Sequence, residues 1–256
     1  MIQLKSQREI DVMARGGQIL ADTVTLMEQS VRPGISTEEL DKIADDFIRS
    51  HPGATPSFKG LYNFPASICT SINNEIVHGI PSRRRVLIEG DIVSVDVGVK
   101  FEGYHTDSAT TVPVGEIPAE SKRLLETTRT ALDAGVNAAR NGNHLGDIGA
   151  AVQAVVEKAG FSVVRDLVGH GIGSGFHEEP QVPNYGKPNR GLRLVPGLTI
   201  AIEPMVNVGR PGIRTMPDRW TVVTSDGTRS AHFEHTIAIT ENGPRVLTKP
   251  ALVHAT

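Results

Sequence analysis

Four carboxylates stand among apolar strand residues, where an unpaired charge is costly. In DIVSVDVGV, residues 91–99, Val93, Val95, Val97 and Val99 alternate with Ile92, Ser94, Asp96 and Gly98. Asp96 therefore projects opposite a continuous valine row. In LTIAIEPMV the alternation sets Ile200 and Ile202 against Ala201, Glu203 and Met205, and in FEHTIAI it sets Ile237 and Ile239 against Glu234, Thr236 and Ala238. Asp107 and Glu234 are each expected at the start of a threonine-containing strand. If the valine and isoleucine faces pack on helices, the acids converge on the other side of the sheet. Each would carry a desolvation cost of several kcal/mol unless neutralised. Within these three quoted segments no lysine or arginine shares the acidic faces. Metal ions are the economical counter-charge: two divalent cations would balance Asp96, Asp107, Glu203 and Glu234, with one imidazole as a neutral nitrogen ligand.

Nine histidines could supply that nitrogen. His51, His144 and His254 fall in a turn, at a helix start and in the tail, where solvated surface roles are expected. His170 and His177 frame GHGIGSGFHEEP, too glycine-rich for a helix, so this is not a zinc site with two histidines on one helical face. Such a loop lets imidazoles approach a ligand closely. His105, His232 and His235 flank the acids and stay open as ligands on spacing alone, while His170 is favoured.

The elements that must hold these groups come in a repeated order. Ile10, Met13, Gly17, Leu20, Val24 and Met27 follow helical spacing up to Arg32, Pro33 and Gly34. Ser36 and Glu39 form a capping-box signature for a second helix carrying Leu40, Ile43 and Phe47. Strands and hairpins are expected from there to about residue 115. Helical spacing returns through Leu124, Leu132 and Val136, breaks at Asn141 and Gly142, and resumes from Leu145 to Gly160 before a second strand-rich region. VHGI at 77–80 is echoed by GHGI at 169–172, and Gly90 and Gly197 each precede a carboxylate, Asp96 and Glu203, by six positions. The pattern predicts a duplicated α+β unit, one catalytic domain of two pseudo-symmetric halves, about 1–115 and 116–256.

Composition narrows the classes. The chain has 256 residues, 39% hydrophobic and 21% charged, with formal net charge −3. That is the profile of a globular chain with no global basic field, so DNA is not the expected partner. No stretch approaches the roughly 20 apolar residues of a membrane span. The single cysteine, Cys69, excludes an internal disulfide and a cysteine-cluster zinc site and fits a reducing cytoplasm.

FPASICTSINNEIVHGIP, GDIVSVDVG, GYHTDSATT, GHGIGSGFHEEP, IAIEPM and FEHTIAI, in this order, closely resemble type I methionine aminopeptidases, over nearly the whole chain. The resemblance implies the duplicated pita-bread fold. It also implies a dinuclear set of Asp96, Asp107, His170, Glu203 and Glu234, with Asp107 and Glu234 bridging, which holds two divalent ions (Co²⁺, Mn²⁺, Fe²⁺ or Zn²⁺). His78 and His177 match the family's substrate-facing histidines. The bacterial type without an amino-terminal extension is expected, and the short interval from Glu203 to Glu234 leaves no room for the helical insertion of the type II class. A peptidase of the Xaa-Pro aminopeptidase or prolidase kind is the alternative, and a metal-free binding homologue of the same fold is the non-enzymatic one.

The implied activity removes amino-terminal methionine from nascent proteins, preferentially before a small residue. Two cations would acidify the attacking water and hold the free α-amine, Glu203 would shuttle the proton, His177 would stabilise the oxyanion and His78 would assist the leaving group. By resemblance the methionine pocket comprises Leu61, Phe64, Cys69, Phe176 and Trp220. Leu61 departs from the tyrosine or other aromatic residue common there in relatives, a difference that bears on pocket shape. Cys69 is equally readable as core packing. Arg83, Arg84 and Arg85 are expected as a solvated loop through which a transient ribosome contact is open. A monomer is the default.

Overall fold

A computed structural model describes residues 2–249; His254 lies outside the described residues. Four helices carry the expected apolar stripes: α1 (Gln7–Ser30), α2 (Thr37–Arg49), α3 (Ala119–Ala138) and α4 (Leu145–Lys158). The predicted capping box is present, with Ser36 N donating to Glu39 Oε2 at 2.8 Å and Glu39 N donating to Ser36 Oγ at 3.3 Å. Ser6 and Glu9 build a second box at the start of α1. Each cap satisfies helix amides that have no intrahelical acceptor, worth about 1 kcal/mol.

Strand Ile92–Phe101 pairs antiparallel with Tyr104–Pro113 on one side and with Ala54–Pro56 and Ile68–Ile72 on the other. Val93, Val95, Val97 and Val99 are fully buried and pack with Leu20 and Met27 of α1 and Leu40, Ala44 and Ile48 of α2. A five-stranded sheet runs in the order Gly243–Val246, His235–Thr240, Thr199–Ile202, Gly169–Gly171, Glu178–Val182. Its Ile200, Ile202, Ile237 and Ile239 are buried in one cluster with Leu124 and Leu132 of α3 and Ile148 and Val152 of α4. In both sheets the aliphatic row faces a helix pair, as the alternation requires, and the acids are left on the opposite face.

The two sheets are joined along Tyr104–Pro113. Asp107 N donates to Thr236 Oγ1 at 2.9 Å and Thr236 Oγ1 donates back to Asp107 O at 2.8 Å. Ser108 Oγ donates to Glu234 O at 2.7 Å, Glu234 N donates to Ala109 O at 2.9 Å, and Thr111 Oγ1 donates to His232 O at 2.8 Å. These bonds set Asp107 beside Glu234. One expectation needs correction: Asp107 is the fourth residue of its strand, not the first, and Glu234 immediately precedes His235–Thr240. The seam places them together, rather than equivalent strand positions.

Candidate active site

Register explains how buried carboxylates find space. Cys69 and Ala109 lie opposite Asp96 and Gly98 lies opposite Asp107, so the direct cross-strand neighbours of both acids are small. A Cβ on Gly98 would come within 2.7 Å of the Phe58 ring. Glu203 follows Thr199–Ile202 directly, and Glu234 occupies the break between Ser230–His232 and His235–Thr240. His170 sits between Gly169 and Gly171 in a strand where a Cβ on Gly171 would meet Glu179 O at 2.2 Å. Here glycine is required for close approach of paired strands, where the sequence suggested a loop that brings imidazoles near a ligand.

One ligand atom each from Asp107, His170 and Glu234 fall within 4.8 Å of one another. His170 Nε2 lies 3.7 Å from Asp107 Oδ2 and 3.8 Å from Glu203 Oε1. The His170 Nδ1 is 2.8 Å from Gly171 O, so Nδ1 carries the proton and the Nε2 lone pair faces the acids. Asp96 Oδ1, Asp107 Oδ1 and Glu234 Oε1 are buried with no hydrogen-bond partner among the described residues. Burial drives the carboxyl groups of Asp96, Glu203 and Glu234 well above the usual range, with the charge of Asp107 adding to each, and burial lifts Asp107 to about 8. No arginine or lysine contributes a compensating charge to any of the four. Hard oxygen donors with one imidazole, crowded and uncompensated, fit divalent cations and little else.

The acids floor a cavity of about 550 Å³ whose lining includes all twelve residues anticipated for the site. Phe64, Cys69 and Phe176 are buried in its apolar wall. Trp220 meets Phe64 edge-on at 5.0 Å, and Phe58 meets Phe176 edge-on at 5.3 Å. Cys69 is both core and pocket wall, and burial pushes its thiol well up, so it is a packing residue rather than a nucleophile. His78 holds φ 59, a left-handed conformation unusual outside glycine, and its ring stands 6.4 Å from Trp220. Burial holds His78 and His177 down to about 4, so both are neutral hydrogen-bond donors near pH 7.

Residues not anticipated also line the cavity. Tyr62 stacks on His177 with centroids 5.8 Å apart and planes at 15°, and Phe58 and Met205 add apolar wall. His232, one of three flanking histidines left open, reaches the acids, whereas His105 and His235 are occupied by Ser57 Oγ and Thr248 Oγ1, each at 2.9 Å. His144 is not a solvated residue: it is half-buried at the N-cap of α4. The arginine run is likewise corrected. Arg85 is half-buried, pairs with Glu75 and donates to Ile80 O at 3.1 Å, bracing the turn after His78, while Arg83 and Arg84 are exposed.

A metal-dependent hydrolase of mixed α+β build is the class this geometry defines. The profile of Metallopeptidase family M24 matches residues 11–241. The chain is 53% identical to methionine aminopeptidase of Clostridium perfringens over 248 residues, 97% of this chain and 99% of that protein. The crystal structure of methionine aminopeptidase from Thermotoga maritima superposes with TM-score 0.95 at 42% identity, over 97% of this chain and all of that one. An Xaa-Pro dipeptidase from Bacillus anthracis shares the fold with TM-score 0.77, but at 24% identity and over only 62% of its own length. The chain belongs to metallopeptidase family M24, on its methionine aminopeptidase branch, and has the pita-bread fold. The prolidase-like alternative is not favoured.

Proposed function

We propose that the chain hydrolyses the first peptide bond of polypeptides that begin with methionine, with Asp96, Asp107, His170, Glu203 and Glu234 holding two divalent ions. The observation that carries this is a floor of buried, unpartnered carboxylate oxygens under a small aromatic and thiol-lined wall. Bound there, Co²⁺, Mn²⁺, Fe²⁺ or Zn²⁺ would supply Lewis acidity, making water nucleophilic near neutral pH. Glu203 accepts the proton of the attacking water and passes it to the departing amine. His177, neutral and at the cavity mouth, donates an N–H to the oxygen that becomes negative. His78, also neutral, hydrogen-bonds the scissile amide and steadies the leaving group. Leu61, Phe64, Cys69, Phe176 and Trp220 receive the methionine side chain, whose flexible thioether suits sulfur–aromatic contact. A small residue at the next position is preferred, as the resemblance implies.

The setting we infer is the cytoplasm, on nascent chains, with the protein a monomer of two pseudo-symmetric halves. Its one cysteine, Cys69, is free and buried, as a reducing compartment allows. Arg83 and Arg84 are the exposed cations for any ribosome contact. The test compares EDTA-stripped and metal-restored protein on Met-Ala, Met-Lys and Ala-Pro peptides. Metal-dependent release from Met-Ala alone is expected. Cleavage of Ala-Pro would support a prolidase-like enzyme, and inactivity on all three would leave a binding protein.

A further inference from the structure

His232 has no duty in the mechanism above, yet it is 2% exposed and turned into the site. Its Nε2 is buried and has no hydrogen-bond partner among the described residues. The nearest acceptors are Glu203 Oε2 at 3.9 Å and Glu234 Oε2 at 3.8 Å. A buried donor left unpaired is destabilising, so the imidazole would be poorly placed here if it served only to fill space.

Distance alone does not choose between the two acids, and the proton-carrying role proposed for Glu203 selects it as the partner. His232 itself is fixed: its N donates to Thr111 Oγ1 at 2.9 Å, its O accepts from the same hydroxyl, and it pairs with Met205 in the strand ladder. Glu234 is anchored on both sides of its backbone, through Ala109 O and Ser108 Oγ. Neither carboxylate accepts a hydrogen bond from another side chain or amide among the described residues, and of the two it is Glu203 that must orient its carboxylate to move a proton. Its backbone carbonyl accepts from Asn184 Nδ2 at 3.0 Å, and its two oxygens divide between imidazoles, Oε1 toward His170 and Oε2 toward His232. The His170 lone pair offers Oε1 no donor, and Oε2 is the oxygen that an N–H on His232 can hold. The gap to an ordinary N–H···O length is about 1 Å, within reach of a small side-chain rotation.

We propose that His232 is a positioning residue for Glu203: its Nε2–H donates to Glu203 Oε2 and holds the carboxylate in the orientation that takes and returns the proton. The inference rests on the role given to Glu203 in the proposed function. It predicts that a side chain with an N–H at the same reach can replace the imidazole and that an apolar one cannot. A second imidazole ligand to the cations would require the opposite tautomer, with a bare Nε2.

The experiment pairs His232→Gln with His232→Leu in the metal-loaded enzyme, with thermal melting to confirm that both fold. Leu should lower kcat by about 10–100-fold with KM changed by less than about threefold, and Gln should recover kcat to within about threefold of the parent. Independently of activity, proton–nitrogen correlation spectra of the zinc-loaded parent, assigned by the signals lost in His232→Gln, should show the proton on Nε2. Unchanged kcat in the leucine variant, no recovery with glutamine, or an unprotonated Nε2 would each overturn the proposal. If the parent itself fails to cleave Met-Ala, the proposed function falls, whatever the tautomer of His232.

Discussion

Stripping the metal should make the protein less stable as pH rises from about 6.5 to about 8, the reverse of ordinary acid denaturation. The sign follows from two sets of groups. Asp96, Asp107, Glu203 and Glu234 have folded-state pKa values raised by burial, so they favour folding at low pH and lose that contribution as pH climbs through the raised values, about 8 for Asp107. Six histidines, His78, His105, His170, His177, His232 and His235, are lowered from 6.5 chiefly by burial. They oppose folding as pH falls below 6.5, and above it they no longer contribute. Between about 6.5 and 8 only the acids act, each retained proton giving a slope of about −1.4 kcal/mol per pH unit. Asp107 alone would therefore remove about 2 kcal/mol across the window. For a chain of this size that is a fall of roughly 4–8 °C in Tm. Urea unfolding of EDTA-stripped protein at both ends of the window measures it. Restoring Mn²⁺ should abolish most of the slope, and Asp107→Asn should make it shallower without metal, the other three acids remaining, while also removing the response to metal. Stability that is flat or rising with pH in the stripped protein would refute the claim that these acids are buried together without a protein counter-charge.

Glu203→Gln and His78→Ala should each lower kcat by at least about 100-fold while Tm stays within a few degrees, checked by steady-state kinetics beside thermal melts. Trp220→Ala should raise KM for Met-Ala more than it lowers kcat, since the wall binds methionine in ground and transition states alike; an effect on kcat alone would place Trp220 outside the pocket. Buried Lys5 pairs with half-buried Glu178, whose Oε1 also accepts from Gly175 N at 2.8 Å in the loop that carries His177. Lys5→Met should destabilise the fold by about 1–3 kcal/mol by removing that carboxylate's counter-charge, read by urea unfolding. Replacing Arg83 and Arg84 by serine should leave Tm unchanged, whereas Arg85→Ser should lower it, because only Arg85 braces the turn beyond His78.

What the sequence made legible was direction, and what it hid was meeting. Alternation fixes which face of a strand a side chain takes, so Asp96 against the valine row could be read from residues 91–99 alone, and the structure places that row on α1 and α2. The same logic exposed Glu203 and Glu234, and the capping box at Ser36 announced α2. Contacts between halves have no period. Thr111 and Thr236 look like ordinary strand threonines, yet their hydroxyls fasten residues more than a hundred positions away and bring Glu234 to Asp107. For the same reason His232 and His235, three positions apart, could not be separated by spacing. One faces Glu203 and the other Thr248, a distinction set by the interruption of strand pairing at Phe233 and Glu234 and visible only once the strands are paired. Arg85 illustrates the converse: three adjacent arginines read as a solvated run, but the geometry of a tight turn gives one of them carbonyls to hold. Local pattern thus determines what each strand offers to the cleft, and long-range hydroxyl and guanidinium bonds determine which offers coincide. The acids need both, since a carboxylate is tolerated in a dry site only where its neighbours are small and its charge is answered from outside the chain.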